Sequence, residues 1–218
     1  QRCKCIHQYI DARHISKLNI NKNNRRNCGN SLVRKVSIEA CSQESRHFSD
    51  ERFNKSRHID DKAMVVAAIE VLRQLKQNDL KPAFNTLFAF PIYEEIGHGG
   101  AYVPSEVNEY VALDIGLIGP DNHGSEKLVS IGASDHYSPY DWGLTTHFIN
   151  LAKENQIDYC VDTFYRFGSD ATAAIRSGNN VMPAVFGVGC MNSHGYERTS
   201  IHAIEECARL TLAYVLNK

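Results

Sequence analysis

Phe84-Asn85-Thr86-Leu87-Phe88-Ala89-Phe90 is the stretch on which the reading of this chain turns. It is short, apolar and aromatic, and Pro82 and Pro91 bound it, so it reads as a strand. A Pro-Ile-Tyr link then leads to Glu94-Glu95 and to a glycine-rich turn, Ile96-Gly97-His98-Gly99-Gly100-Ala101. Upstream, Lys62 to Gln77 has apolar residues at Val65, Ala68, Ile69, Leu72 and Leu75, which is helical spacing.

Downstream, elements of the two kinds alternate. Strands are expected at Glu109–Asp114, Ile157–Phe164 and Val181–Val188, the last despite Pro183. Helices are expected at Trp142–Asn155, Asp170–Ser177 and Ser200–Asn217, with Asp141 a candidate cap for the first. This order argues for an α/β sheet with helices on both faces. Strands this apolar are expected to be central and covered on both sides.

The first 50 residues read differently. They are polar, rich in Asn, Lys, Arg and Ser, and weakly periodic; disorder or loose packing is expected around Asn19–Asn30. Residues 1–57 carry a charge of +8 and the remainder −9, which leaves the net charge of −1. A basic arm on an acidic domain raises the possibility of nucleic-acid binding. Without aromatic interleaving or a recognised motif, no nucleic-acid partner is expected. No apolar run reaches the 18 residues or more that span a bilayer, so no membrane segment is expected either. Seven cysteines show no zinc-finger spacing, and free thiols with no export signal point to the cytoplasm.

Chemistry concentrates at the ends of the expected elements, where open α/β sheets bind ligands. Asp60-Asp61 precedes the first helix; taken alone the pair reads as an N-cap with favourable charge at the helix dipole, ahead of a metal role. Glu94-Glu95 could be a solvated acidic loop, but adjacent carboxylates repel, and one pKa rises unless a cation is near. With a dication present, one carboxylate can ligate while the other handles a proton. Asp114 ends an apolar strand and has no packing reason to be there. His194 follows another, within Cys190-Met191-Asn192-Ser193-His194-Gly195-Tyr196-Glu197; alone it reads as structural. Together Asp, Glu, Asp and His form a set suited to zinc, cobalt or manganese.

Five motifs in order, Arg57-His58-Ile59-Asp60-Asp61-Lys62, Glu94-Glu95-Ile96-Gly97 with Gly99-Gly100-Ala101, Ala112-Leu113-Asp114, Gly168-Ser169-Asp170-Ala171 and Ser193-His194-Gly195-Tyr196-Glu197, resemble the tetrahedral (TET) aminopeptidases, which include glutamyl and deblocking enzymes. The resemblance spans about residues 46–218. It implies a three-layer αβα zinc-exopeptidase-like domain with a mixed, mostly parallel central sheet. It also implies a cytoplasmic, metal-dependent aminopeptidase that acts on peptides, uses two zinc or cobalt ions and assembles into homo-oligomers. Carried over residue by residue, Asp60 bridges two metals. Glu95 and His194 complete one site, and Asp114 serves the other. Glu94 is the general base. Asp170 either helps hold the substrate's amino terminus or caps a helix.

The chain also departs from the family. A fifth ligand, a histidine from an N-terminal motif, has no clear counterpart; the candidates are His7, His14 and His47. Residues 1–45 resemble neither the family's N-terminal strands nor its inserted β-barrel, and read as an atypical basic or remnant segment ahead of a catalytic part at 46–218. The second metal site is therefore expected to be incomplete, with an inactive homologue as the alternative function.

Overall fold

A computed structural model describes residues 3–7, of which the backbone is described, and 53–217. The stretch Asn19–Asn30, His14 and His47 lie outside the described residues.

The elements in chain order are β1 (Cys3–His7), β2 (Phe53–Ser56), α1 (Ile59–Gln77), β3 (Asn85–Ala89), a 3₁₀ turn at Glu94–Ile96, β4 (Glu109–Leu113) and β5 (Gly116–Leu117). They continue with β6 (Val129–Ser134), α2 (Trp142–Glu154), β7 (Tyr159–Thr163), α3 (Asp170–Arg176), β8 (Met182–Cys190), β9 (Glu197–Ser200) and α4 (Ile201–Leu216). The main sheet runs β3-β1-β4-β8-β6-β7, with the short β5 also paired to β8. Every pairing in it is parallel except β6 against β8. The result is the expected mixed, mostly parallel sheet. A separate ribbon pairs β2 with β9 antiparallel.

Side chains alternate across the central strands, as a period of two requires. On β4, Val111 and Leu113 enter one core, while Tyr110 and Ala112 enter the other. On β8, Ala184, Phe186 and Val188 face the first core and Val185 the second. The first core is covered by α1, α2 and α4, and Phe148 of α2 lies against Phe186 and Tyr214 at ring centroids 4.8 and 4.7 Å away. The second core takes Ala171 and Ala174 of α3, with Val103, Val107 and Phe164. Helices therefore cover both faces, giving three layers.

One expectation is corrected. The Phe84–Phe90 stretch is not a central, doubly covered strand. Among the described residues β3 pairs only with β1, and Leu87 is exposed. With one partner, its alternate side chains face solvent. The buried central strands are β4 and β8. The periodicity reading also passed over β6, whose Val129-Ser130-Ile131-Gly132 mixes small residues into the strand, and the two-residue β5.

Candidate metal centre

Strands β3, β1, β4 and β8 are mutually parallel, so their carboxyl ends open on one side of the sheet. Asp114 is the residue after β4, Glu94 and Glu95 lie in the 3₁₀ turn after β3, and His194 lies four residues beyond β8. The ribbon supplies the remaining connection. Its last pair, Ser56 with Glu197, brings the entry to α1 beside the loop that carries His194. Asp60 and Asp61 stand in that entry with non-helical backbone angles, and the cap position is His58. The N-cap reading of Asp60-Asp61 is thereby corrected: the carboxylates are turned away from capping duty.

Two groups of side chains converge. In the outer one, Nε2 of His194 is 3.4 Å from Oδ2 of Asp60 and 3.3 Å from Oε2 of Glu95. The hydroxyl of Ser193 donates to that same Asp60 oxygen at 2.7 Å. In the inner one, Asp60, Asp61 and Asp114 each offer an oxygen, and within each group the donor atoms lie within 4.8 Å of one another. Asp60 belongs to both.

The inner group is electrostatically uncompensated. Asp61 is 4% exposed and Asp114 7%. Burial, then the charge of Asp114, drives the Asp61 carboxyl well above the ordinary carboxylate range. Burial, then Glu94, does the same to Asp114, against the opposing hydrogen bond from the Ile115 amide at 2.7 Å. Asp61 Oδ1 is buried with no hydrogen-bond partner. Glu94 is pushed up to about 8, chiefly by burial and next by Asp170 and Glu95. Asp60 is raised by burial and lowered by Ser193 and His194. A divalent cation would compensate this crowd of acids, and carboxylate oxygens plus one imidazole are a donor set that zinc and cobalt accept. The residues fit a metal.

Asp170 also reaches this side of the sheet. It is the first residue of α3, with Ser169 in the cap position, so the capping alternative is corrected. Its Oδ1 accepts the Gly100 amide at 3.1 Å. A Cβ on Gly99 would stand 2.1 Å from Asp170 Oδ2, so the turn after Glu95 needs glycine to lie against α3. Gly187 does the same for β8: a Cβ there would meet the Asp114 carbonyl at 1.3 Å. Asp141 caps α2 as expected, accepting from the Leu144 amide at 2.7 Å.

The resemblance gives no role to Asp61, Ser193 and Glu197. It uses Asp60 of the pair alone, although two acids ahead of an apolar helix are signal enough to keep both. Ser193 and Glu197 flank His194, and only the closing of the ribbon shows what they touch.

The sequence profile of the M42 glutamyl aminopeptidases matches residues 14–210. The chain belongs to that family. The M42 match begins well ahead of residue 46, where the motif resemblance starts. "Putative aminopeptidase YhfE" of Bacillus subtilis (strain 168) is 38% identical over 164 residues, which is 75% of this chain and 47% of that protein. The solved TET aminopeptidase from the marine sediment archaeon Thaumarchaeota archaeon SCGC AB-539-E09 superposes with TM-score 0.70 at 18% identity, over 79% of this chain and 51% of that one. The Pyrococcus horikoshii TET1 peptidase, which can assemble into a tetrahedron or a large octahedral shell, gives 0.68 at 22%, over 79% and 53%. These two structures share the M42 fold. The chain spans about half the length of the relatives it matches. Membership of M42 implies divalent metal.

Proposed function

We propose that this M42 chain is the catalytic part of a metal-dependent aminopeptidase that removes N-terminal residues from peptides. The observation that carries the reading is the convergence of Asp60, Glu95 and His194 on one point, with Glu94 beside them and the buried Asp61–Asp114 pair behind. Asp60, Glu95 and His194 would hold one ion, and Asp60 with Asp114 a second; zinc or cobalt suits both donor sets. Bound there, the ions would supply a Lewis acid for the scissile carbonyl and lower the pKa of a water.

The remaining work falls to side chains of this chain. Glu94, ionised, takes a proton from the attacking water on a carboxylate oxygen and returns it to the departing amine nitrogen. A base of this kind must start unprotonated, and a nearby dication brings its raised pKa back down. Asp170, held by the Gly100 amide, presents a carboxylate toward the substrate's α-ammonium group.

The catalytic part begins at about residue 46, and β1 adds a strand from ahead of it. β1 lies between β3 and β4, and its register sets His7 beside Ala112, two residues before Asp114. This register supports His7 as the candidate for the missing ligand on the Asp114 side; His14 and His47 lie outside the described residues. Free buried thiols at Cys160, Cys190 and Cys207 support a cytoplasmic protein. Homo-oligomers are proposed from the shells formed by the TET1 relative.

The second reading is an M42 homologue that folds but does not hydrolyse, resting on the missing counterpart of the family's N-terminal histidine, since the described side chains of the inner group are all carboxylates. One experiment separates them. The chain is loaded with zinc or cobalt and offered aminoacyl-p-nitroanilides with free and with acetylated amino groups. Release from the free amines alone supports the aminopeptidase. No release from either, with metal bound, supports the inactive homologue. A second ion held by the wild type and lost in His7→Ala assigns the histidine; retention of both ions in His7→Ala removes it from the site.

A further inference from the structure

Glu197 has no part in the proposed chemistry, yet it is 1% exposed. A carboxylate so deeply placed must have its oxygens satisfied. Backbone amides do this, and they come from two places. The amides of Ile59 and Asp60 donate to Oε2, the second at 3.1 Å, and the amide of His194 donates to Oε1 at 2.9 Å. One segment bears Asp60 and the other bears His194. They are remote in sequence, and the β2–β9 ladder stops at the Ser56–Glu197 pair, just where the two chains diverge toward their ligands.

Both segments have backbone that needs holding. His58 stands at φ +61°, Asn192 at +63° and His194 at +64°, all left-handed and none of them glycine. Such backbone is unfavourable for residues other than glycine and persists only where the surroundings fix it. The Glu197 carboxylate is the cross-tie at that point, since it grips the chain immediately after His58 and at His194 itself.

We propose that Glu197 is a positioning residue: its two oxygens lock the Asp60 segment to the His194 segment and so set the separation of two metal ligands. The inference rests on the metal-centre reading for its consequence, though the tie itself does not need metal. The geometry demands a carboxylate. Glutamine is nearly the same size, but in either orientation its NH₂ group faces a backbone N–H, so one of the two segments loses its acceptor. Aspartate keeps both acceptors but is one methylene too short to reach both segments.

The test uses the 218-residue chain with Glu197→Gln, Glu197→Asp and, as a control in the same strand, Thr199→Val. Thr199 is fully buried and donates to the Gly189 carbonyl at 2.7 Å, touching neither ligand segment. Amide hydrogen exchange is read first, on metal-free protein. In Glu197→Gln the amides of residues 59–60 and 194 should lose protection together, and in Thr199→Val they should not. Cobalt affinity follows, by competition with a chromophoric chelator, along with the visible spectrum of the bound ion. Removal of outer-shell partners typically costs 10–100-fold in metal affinity. Glu197→Gln should fall by about that much with a changed cobalt spectrum, Glu197→Asp should lie between it and wild type, and Thr199→Val should match wild type.

Independent loss of protection in the two segments, or wild-type cobalt affinity and spectrum in both Glu197 variants, overturns the proposal. So does an equal loss of affinity in Thr199→Val, which would make the effect one of general stability. Should Glu197→Gln fail to fold, Glu197→Asp decides alone by the same two readings. A wild-type chain that takes up no cobalt sinks the metal-centre reading instead, and the exchange experiment still judges the tie.

Discussion

The two groups of candidate ligands share Asp60 and differ in nearly everything else. The outer group mixes a carboxylate pair with an imidazole and opens to solvent; the side chains of His194 and Glu95 are 69% and 39% exposed. Among the described residues the inner group is all carboxylate, and Asp61 and Asp114 are buried. In the outer group burial raises the carboxyl pKa of both Asp60 and Glu95, and His194 opposes that rise. In the inner group burial and then neighbouring acids raise Asp61 and Asp114, with Asp114 and Asp60 acting on Asp61 and Glu94 and Asp60 on Asp114. The contrast shows where compensation is built in and where it must be brought. The outer group has its own base and a hydroxyl donor, whereas the inner group depends on protons or on a cation.

Breaking the shared residue should have the largest effect. Asp60→Asn removes an anionic ligand from both groups, so both bound ions and all peptidase activity should be lost. His194→Ala should cost the outer ion only, and Asp114→Asn the inner ion only. Counting zinc per chain after dialysis, variant by variant, checks this. A full complement of ions in Asp60→Asn would dissolve the idea of two sites with a common bridge. The wild type should also bind one ion more tightly than the other, the outer one first, because that group joins an imidazole to two carboxylates.

Glu94 separates holding metal from using it. Positioned general bases contribute about 10²–10⁴-fold, so Glu94→Gln should lower kcat by about that factor while both ions stay bound. Full turnover in a metal-loaded Glu94→Gln protein would sink the role.

The inner group's dependence on a counter-charge can be read from stability. In the metal-free chain Asp61, Asp114 and Glu94 have folded-state pKa values above the ordinary carboxylate values near 4, with Glu94 at about 8. The folded chain therefore binds more protons than the unfolded one between those limits, and stability must fall as pH rises from about 4 through about 8. Melting in chelator should give a lower Tm at pH 8 than at pH 5, and zinc should shrink the difference. A metal-free Tm that climbs over that interval contradicts the assignment.

Much of this architecture was legible in the sequence, for a reason that can be stated. The helices of α1, α2 and α4 show their apolar spacing directly, and β4 and β8 are apolar enough to be buried on both faces. The ligands stand next to these elements, so their places followed. What was not legible depended on pairing between distant segments. β3 is as apolar as a central strand, but its place at the sheet's edge is set by its partners. β2 and β9 are four residues each, mostly polar, and become a ribbon only by meeting. That ribbon brings Asp60 to His194, and with it Ser193 and Glu197 acquire their contacts. Nothing in the sequence separates His7 from His14 and His47; only the pairing of β1 between β3 and β4 brings the His7 backbone near Asp114.

Ser193 offers the smallest and most discriminating perturbation of the comparison. Its hydroxyl donates to Asp60 Oδ2, the oxygen that also faces His194. Ser193→Ala removes one hydrogen bond and leaves every proposed ligand in place. The net value of such a bond is about 1 kcal/mol, which corresponds to roughly a fivefold change in an equilibrium constant. Because Asp60 is common to both groups, the loss should fall on both ions together, unlike the one-sided loss in His194→Ala. The Asp60 carboxyl should also titrate higher, since the serine now holds it down. Chelator competition for each ion in turn measures the effect. Equal, few-fold weakening of both supports a bridging Asp60, while weakening of the outer ion alone would mean that the inner ion does not use the oxygen Ser193 holds.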